Sequence, residues 1–172
     1  MSVPRPVSPQ RLPPQLRHGC AMTEAADRNR RELRLWLRML LTTRAAEGQL
    51  REFLRVSHGT TLPRFDVMAA LWRRGEAVSM SELSRMLLVS NGNATAVVDR
   101  LEKDGLVRRS PSETDRRTVY VSLTDAGKES FSGLAKDHAG EVGRIFADLP
   151  DEDLDTMSAI LKRMGERRNA AN

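Results

Sequence analysis

Asn93, Thr95 and Arg100, side chains that can hydrogen-bond a base edge or a phosphate, lie in a short stretch whose apolar positions Ala94, Val97, Val98 and Leu101 keep i, i+3, i+4 and i+7 spacing. Turning that apolar set inward leaves Gly92, Asn93, Ala96, Arg100 and Lys103 outward, with Thr95 at the flank. Gly92 and Ala96 keep the outward face short, so the helix can sit deep in a groove, while Ser90 and Asn91 at its start can hold a backbone phosphate. A second group, Asp115, Arg116 and Arg117, falls in the polar loop between two alternating segments, residues 106–109 and 118–123. Arginine is weakly hydrated enough to enter a narrow minor groove, and a neighbouring aspartate can hold the loop. This is binding chemistry. No Gly-rich phosphate loop, activated Ser or Cys with a positioned His, or paired-carboxylate pattern stands out, so the chain is not read as an enzyme and no cofactor is expected.

Such residues need a scaffold. Ser79-Met80-Ser81-Glu82 has the Ser-x-x-Glu spacing of a capping box and starts a helix with Leu83, Met86 and Leu87 inward. A short connection, Leu88-Val89-Ser90, leads into the helix carrying Asn93 and Arg100, and Asp104-Gly105 ends it, glycine supplying the left-handed position and Leu106 the apolar contact beyond. Two short helices joined by a tight turn form a helix-turn-helix, and the hairpin directly after it is a wing. Upstream, Phe65, Met68, Ala69 and Trp72 are spaced as a helix between a break at residues 59–63 and Gly75. Long helices flank this unit: residues 27–56 with Leu33, Leu37, Leu40 and Leu41, residues 124–149 with Phe131, Leu134, His138, Val142, Ile145 and Phe146, and a last helix after Pro150 with Leu154, Met157, Ile160, Leu161 and Met164. The expected fold class is mainly α with a small β-wing: a winged helix-turn-helix over residues 62–123, flanked by helical regions at 27–58 and 124–168, behind a flexible Pro- and Arg-containing tail at 1–26. The flanking stripes exceed what a small winged domain buries, so a second copy is expected to cover them.

The 172 residues, 40% of them hydrophobic, suffice for one core with a dimerisation extension. The net charge of +5 is weaker support for an anionic partner than it looks, because Arg5, Arg11 and Arg17 lie in the tail and without them 25 bases face 23 acids. Arrangement rather than total charge must make any DNA-binding surface. No apolar run is long enough for a membrane span, and the start lacks an apolar signal-peptide centre, so a cytoplasmic location is expected. Cys20 is the only thiol, and His18, His58 and His138 are widely spaced, so neither a redox switch nor a metal site is expected.

Four stretches carry a family resemblance: Leu83 with the helix after it, Val98-Asp99-Arg100-Leu101-Glu102-Lys103-Asp104-Gly105-Leu106-Val107, Asp115-Arg116-Arg117, and Leu123-Thr124-Asp125-Ala126-Gly127. Across residues 30–168 the chain resembles the MarR family, the multiple antibiotic resistance regulators; the proline-rich tail has no counterpart in the usual family pattern. The resemblance implies a homodimer in which terminal helices pair and two winged domains straddle a pseudo-palindromic duplex operator, with half-sites about 10 base pairs apart. It also implies that Asp115 braces the wing loop, Arg117 enters the minor groove and Arg116 meets phosphate, the two arginines being able to exchange roles. Repression is the family's usual mode.

Family members commonly sense aromatic acids, their thioesters, peroxides or metals. Arg44 and Arg51 continue the apolar face of Leu33, Leu37 and Leu40, where a guanidinium needs a partner: either Glu47 or the carboxylate or phosphate of a ligand. Trp36, Met39, Phe65, Met68 and Trp72 are the candidate apolar walls. The stretch Leu35-Trp36-Leu37-Arg38-Met39-Leu40-Leu41 resembles the branch controlling aromatic and hydroxycinnamic acid degradation, which implies an aromatic acid or its coenzyme A thioester as effector, with Arg28, Arg30, Arg31 and Arg38 available to its phosphates or equally as a solvated face. The alternatives are a constitutive architectural DNA binder and a MarR-type regulator with another effector.

Overall fold

The N-terminal helix begins at Pro14, upstream of the start expected near residue 27, and α1 runs Pro14–His58. Proline fits the first helical turn, where its missing N–H leaves no bond unmade, so residues 14–26 extend the helix instead of belonging to the tail. The computed structural model describes residues 14–112 and 118–170. It divides into two compact units within α1, Met1–Ala45 and Ala46–Asn172.

In the second unit α2 (Leu62–Arg74) carries Pro63 in its first turn and ends at Gly75, whose φ of 71° is the left-handed cap. A two-residue strand, β1 (Val78–Ser79), precedes α3 (Met80–Leu87), and α4 (Asn91–Lys103) follows. Ser79 caps α3 by accepting the Glu82 N–H at 3.2 Å. The Glu82 carboxylate, expected to return to the Ser79 amide, pairs with Arg74 at 2.9 Å. Between the helices Leu88 takes the left-handed conformation, φ 55°, and the Val89 N–H donates to the Ser84 carbonyl at 3.1 Å, closing the turn. Gly105, φ 72°, ends α4 as expected.

The strands β2 (Val107–Pro111) and β3 (Val119–Leu123) pair antiparallel, Val107 opposite Leu123 and Arg109 opposite Val121. The sequence missed β1, which pairs Val78 with Val121 on the other side of β3, giving the order β1-β3-β2. Two residues carry too little alternation to read as a strand; the partner defines it. Pro111 is tolerated because β2 is an edge and donates no inner ladder bond there. Thr124 caps α5 (Asp125–Ile145), which stops before the expected residue 149, and α6 is Asp151–Ala170.

The core of this unit gathers Leu54 at the end of α1, Phe65, Met68 and Leu71 of α2, Leu83, Val98 and Leu101 of the next two helices, Val107, Val121 and Leu123 of the sheet, and Phe131 and Leu134 of α5. His138 stacks on Phe65 at 4.0 Å between ring centroids, and burial holds its pKa below the usual histidine range. Among the described residues no helix is long and apolar enough to cross a membrane.

Candidate nucleic-acid interface

The outward face of α4 is as its periodicity predicts. Ala94, Val98 and Leu101 are buried, while Asn91, Gly92, Asn93, Thr95, Ala96, Arg100 and Lys103 are exposed. Two hydroxyls are partly committed to the helix itself. Ser90 Oγ accepts the Asn93 N–H at 3.3 Å as the N-cap, and Thr95 Oγ1 donates to the Asn91 carbonyl at 2.8 Å. Ser90 therefore orders the helix start, and Thr95 keeps acceptor capacity for an incoming donor. Arg100 borders a cleft of about 340 Å³ with Asn93, Val89, Pro63 and Asp66. Burial and then the nearby Glu47 raise the Asp66 pKa above the usual aspartate range, while Arg51 opposes them. Of the two arginines the sequence singled out, Arg51 thus acts electrostatically on Asp66 of its own chain.

The wing is anchored to α4 by contacts that no local pattern announces. Arg109, 26% exposed, meets Asp99 at 2.6 Å and Glu102 at 2.8 Å, and its backbone N–H donates to Glu102 Oε1 at 3.0 Å. Arg64 of α2 meets Asp104, just past α4, at 2.6 Å. Arg108, by contrast, faces outward and donates to the Ser122 hydroxyl at 3.2 Å. Asp115, Arg116 and Arg117 lie outside the described residues; Val119 and Pro111, with the Ser112 N–H bonded to the Thr118 carbonyl at 3.0 Å, mark where that loop leaves and rejoins the hairpin.

The candidate effector residues are divided between the two units. Phe65 and Met68 are core residues, 8% and 2% exposed; Phe65 packs on Phe131 and His138, and Met68 also borders a cavity of about 380 Å³ with His58, Arg64 and Asp137. Helical spacing put them on one face but could not say which neighbour covers it. Trp36, Arg38, Met39 and Arg44 belong to the first unit, where Trp36 is 57% exposed, Arg28 pairs with Glu32 and Arg30 with Asp27. Trp72, 47% exposed, packs against Phe131 and borders a cavity of about 410 Å³ with Glu76, Arg108, Ser122 and Lys128. The two cations beside an aromatic ring were missed because they come from β2 and α5, far from Trp72 in sequence. Among the described residues no group of three or more His, Cys, Asp and Glu side chains is placed to hold a metal ion.

Known proteins repeat this arrangement. The model of the MarR family matches residues 48–119. The uncharacterised HTH-type transcriptional regulator YkoM of Bacillus subtilis is 37% identical over 108 residues, covering 63% of this chain and 70% of that protein. Among solved structures, AbsC of Streptomyces coelicolor, a MarR family transcriptional regulator, is 30% identical with a TM-score of 0.71, covering 81% of this chain and 95% of that one. A mutant MarR of E. coli complexed with operator DNA shares the fold at 24% identity and a TM-score of 0.69, over 78% of this chain and 95% of its own.

Proposed function

Because the chain belongs to the MarR family, and so is a DNA-binding transcriptional regulator and not an enzyme, we propose that it acts as a homodimeric repressor released from a pseudo-palindromic operator by a small aromatic acid or its coenzyme A thioester. The observation that carries the DNA reading is the short-sided exposed face of α4, with Asn93, Thr95 and Arg100 on a helix braced against the hairpin. Asn93, Thr95 and Arg100 read base edges, Ser90 and Asn91 meet phosphate, and the Asp115-Arg116-Arg117 loop reaches the minor groove.

The dimer reading is supported by two apolar stripes that one copy leaves open. Leu33, Leu37 and Leu41 of α1 are 45–65% exposed, and Met157, Ile160, Leu161 and Met164 of α6 are 43–49% exposed. Leaving so many large side chains in water is unfavourable, and a two-fold partner would cover them. The effector reading is supported by Trp72 with Arg108: the ring offers a stacking surface, and Arg108, bonded to a neutral hydroxyl, keeps its charge for an anion, whereas Lys128 is already paired with Asp125 at 3.0 Å. A ligand there releases DNA only by favouring a spacing of the two winged domains that no longer matches successive major grooves.

The test is binding to the duplex upstream of the protein's own coding region at fixed salt, titrated with aromatic acids and their thioesters. Relief by one compound supports the reading; tight binding that none relieves favours constitutive control. Arg117→Ala should weaken operator binding by about 1–3 kcal/mol and flatten its salt dependence, and unchanged affinity sinks the wing assignment. Trp72→Ala should keep operator affinity but raise the effector concentration needed for release roughly tenfold, the loss of about one aromatic stacking contact; an unchanged release curve removes this cavity from the effector site.

A further inference from the structure

The fold treats the two adjacent arginines at the base of the wing differently. Arg108 is exposed beside Ser122, whereas the Arg109 guanidinium is held between two carboxylates of α4, Asp99 at 2.6 Å and Glu102 at 2.8 Å. The backbone N–H of Arg109 adds a third contact, to the other Glu102 oxygen at 3.0 Å. One residue of β2 is thereby tied to two successive turns of the helix that carries Asn93 and Arg100. Its charge is already answered, so it has little to offer a phosphate.

We propose that Arg109 is a positioning residue for DNA binding: with Asp99 and Glu102 it fixes the angle between wing and recognition helix, and it does not itself contact DNA. The inference rests on the DNA reading given above. A helix in the major groove and a loop in the neighbouring minor groove bind together only if their separation is fixed before contact; otherwise binding must order them. A guanidinium suits the task because its planar fork reaches two carboxylates in set directions, which a lysine ammonium does not. In a partly buried cluster the desolvation of the ions offsets much of their attraction, so the effect falls on wing geometry more than on folding.

Charge gives this proposal an opposite sign from its rival. If Arg109 were a phosphate contact, removing Asp99 and Glu102 would free it and lift two negative charges from beside the DNA, so binding would tighten. If the cluster positions the wing, the same change weakens specific binding although repulsion falls. The experiment takes the full chain and a duplex that the wild-type protein selects from a random-sequence pool, and compares its affinity with that for an unselected duplex. Asp99→Ala combined with Glu102→Ala should lower affinity for the selected duplex roughly three- to tenfold, the size of a local coupling, while affinity for the unselected duplex holds or rises. Asp99→Asn with Glu102→Gln keeps the shape and supplies the same comparison if the alanine variant melts early. Arg109→Lys should fall between wild type and Arg109→Ala. Unchanged or tighter binding of the selected duplex by the carboxylate variants overturns the proposal, as does an Arg109→Lys protein no better than Arg109→Ala. Failure of the wild-type chain to select any duplex overturns the DNA reading itself, and this inference with it.

Discussion

Gly127→Ala should lower the unfolding free energy by about 3 kcal/mol or more, at the upper end of what overpacking costs, and the melting temperature by roughly 6–12 °C. A Cβ built on Gly127 would overlap the Leu106 carbonyl oxygen. That atom is backbone and cannot rotate away. The same carbonyl accepts the Thr124 N–H at 3.1 Å, while the Thr124 hydroxyl donates to the Gly105 carbonyl at 2.7 Å and accepts the Gly127 N–H at 3.0 Å. The first turn of α5 is thus laid directly on the turn that ends α4, and a methyl group would force them apart. Alanine favours a helix over glycine by about 1 kcal/mol, so helix propensity alone predicts the opposite sign. Thermal unfolding decides: a melting temperature equal to or above wild type would show that the overlap is relieved cheaply and that this contact is not needed.

Leu101→Ala should cost about 2–5 kcal/mol through lost burial and the cavity left behind. Leu101 is fully buried on the inner face of α4, in the cluster that includes Leu83, Val98, Val107 and Val121. The outward face is unchanged by this substitution, so at temperatures where the variant remains folded its operator affinity should fall less than that of Arg117→Ala. Arg100→Ala should do the reverse, weakening operator binding with little change in stability, because the guanidinium is exposed. Denaturant unfolding and duplex titration on both variants separate the two faces. If Leu101→Ala were as stable as wild type, the assignment of that side to the core would be wrong.

Much of the candidate site was legible because its rules are local. The Ser79 cap, the left-handed Gly105 and the inward run of Ala94, Val98 and Leu101 each depend on residues within about one or two helical turns, so spacing alone reveals them. The same run fixes the outward face by subtraction, which is why Asn93, Thr95 and Arg100 emerged together. Alternation at Val107, Val119, Val121 and Leu123 similarly located the hairpin. The motif at residues 98–107 and the Asp115-Arg116-Arg117 loop then pointed to the family.

What the periodicities could not reach lay between elements. Phe65, Met68 and Trp72 share one helical pattern, yet Phe65 and Met68 are buried while Trp72 stays 47% exposed, although α5 brings Phe131 against both Phe65 and Trp72. A stripe records that a surface is apolar and is silent about its cover. Strand β1 exists only because β3 lies beside it, and the Arg74–Glu82 pair redirects a carboxylate that local rules assign to a cap. The sequence by itself determined most of the elements, the Ser79 and Gly105 caps and the two sides of α4, since these follow from backbone geometry over a few residues. Only the tertiary structure decided that Arg109 is bound to α4 while Arg108 is bonded to Ser122, and that Gly127 must lack a side chain, because both depend on distances between segments that chain spacing does not encode.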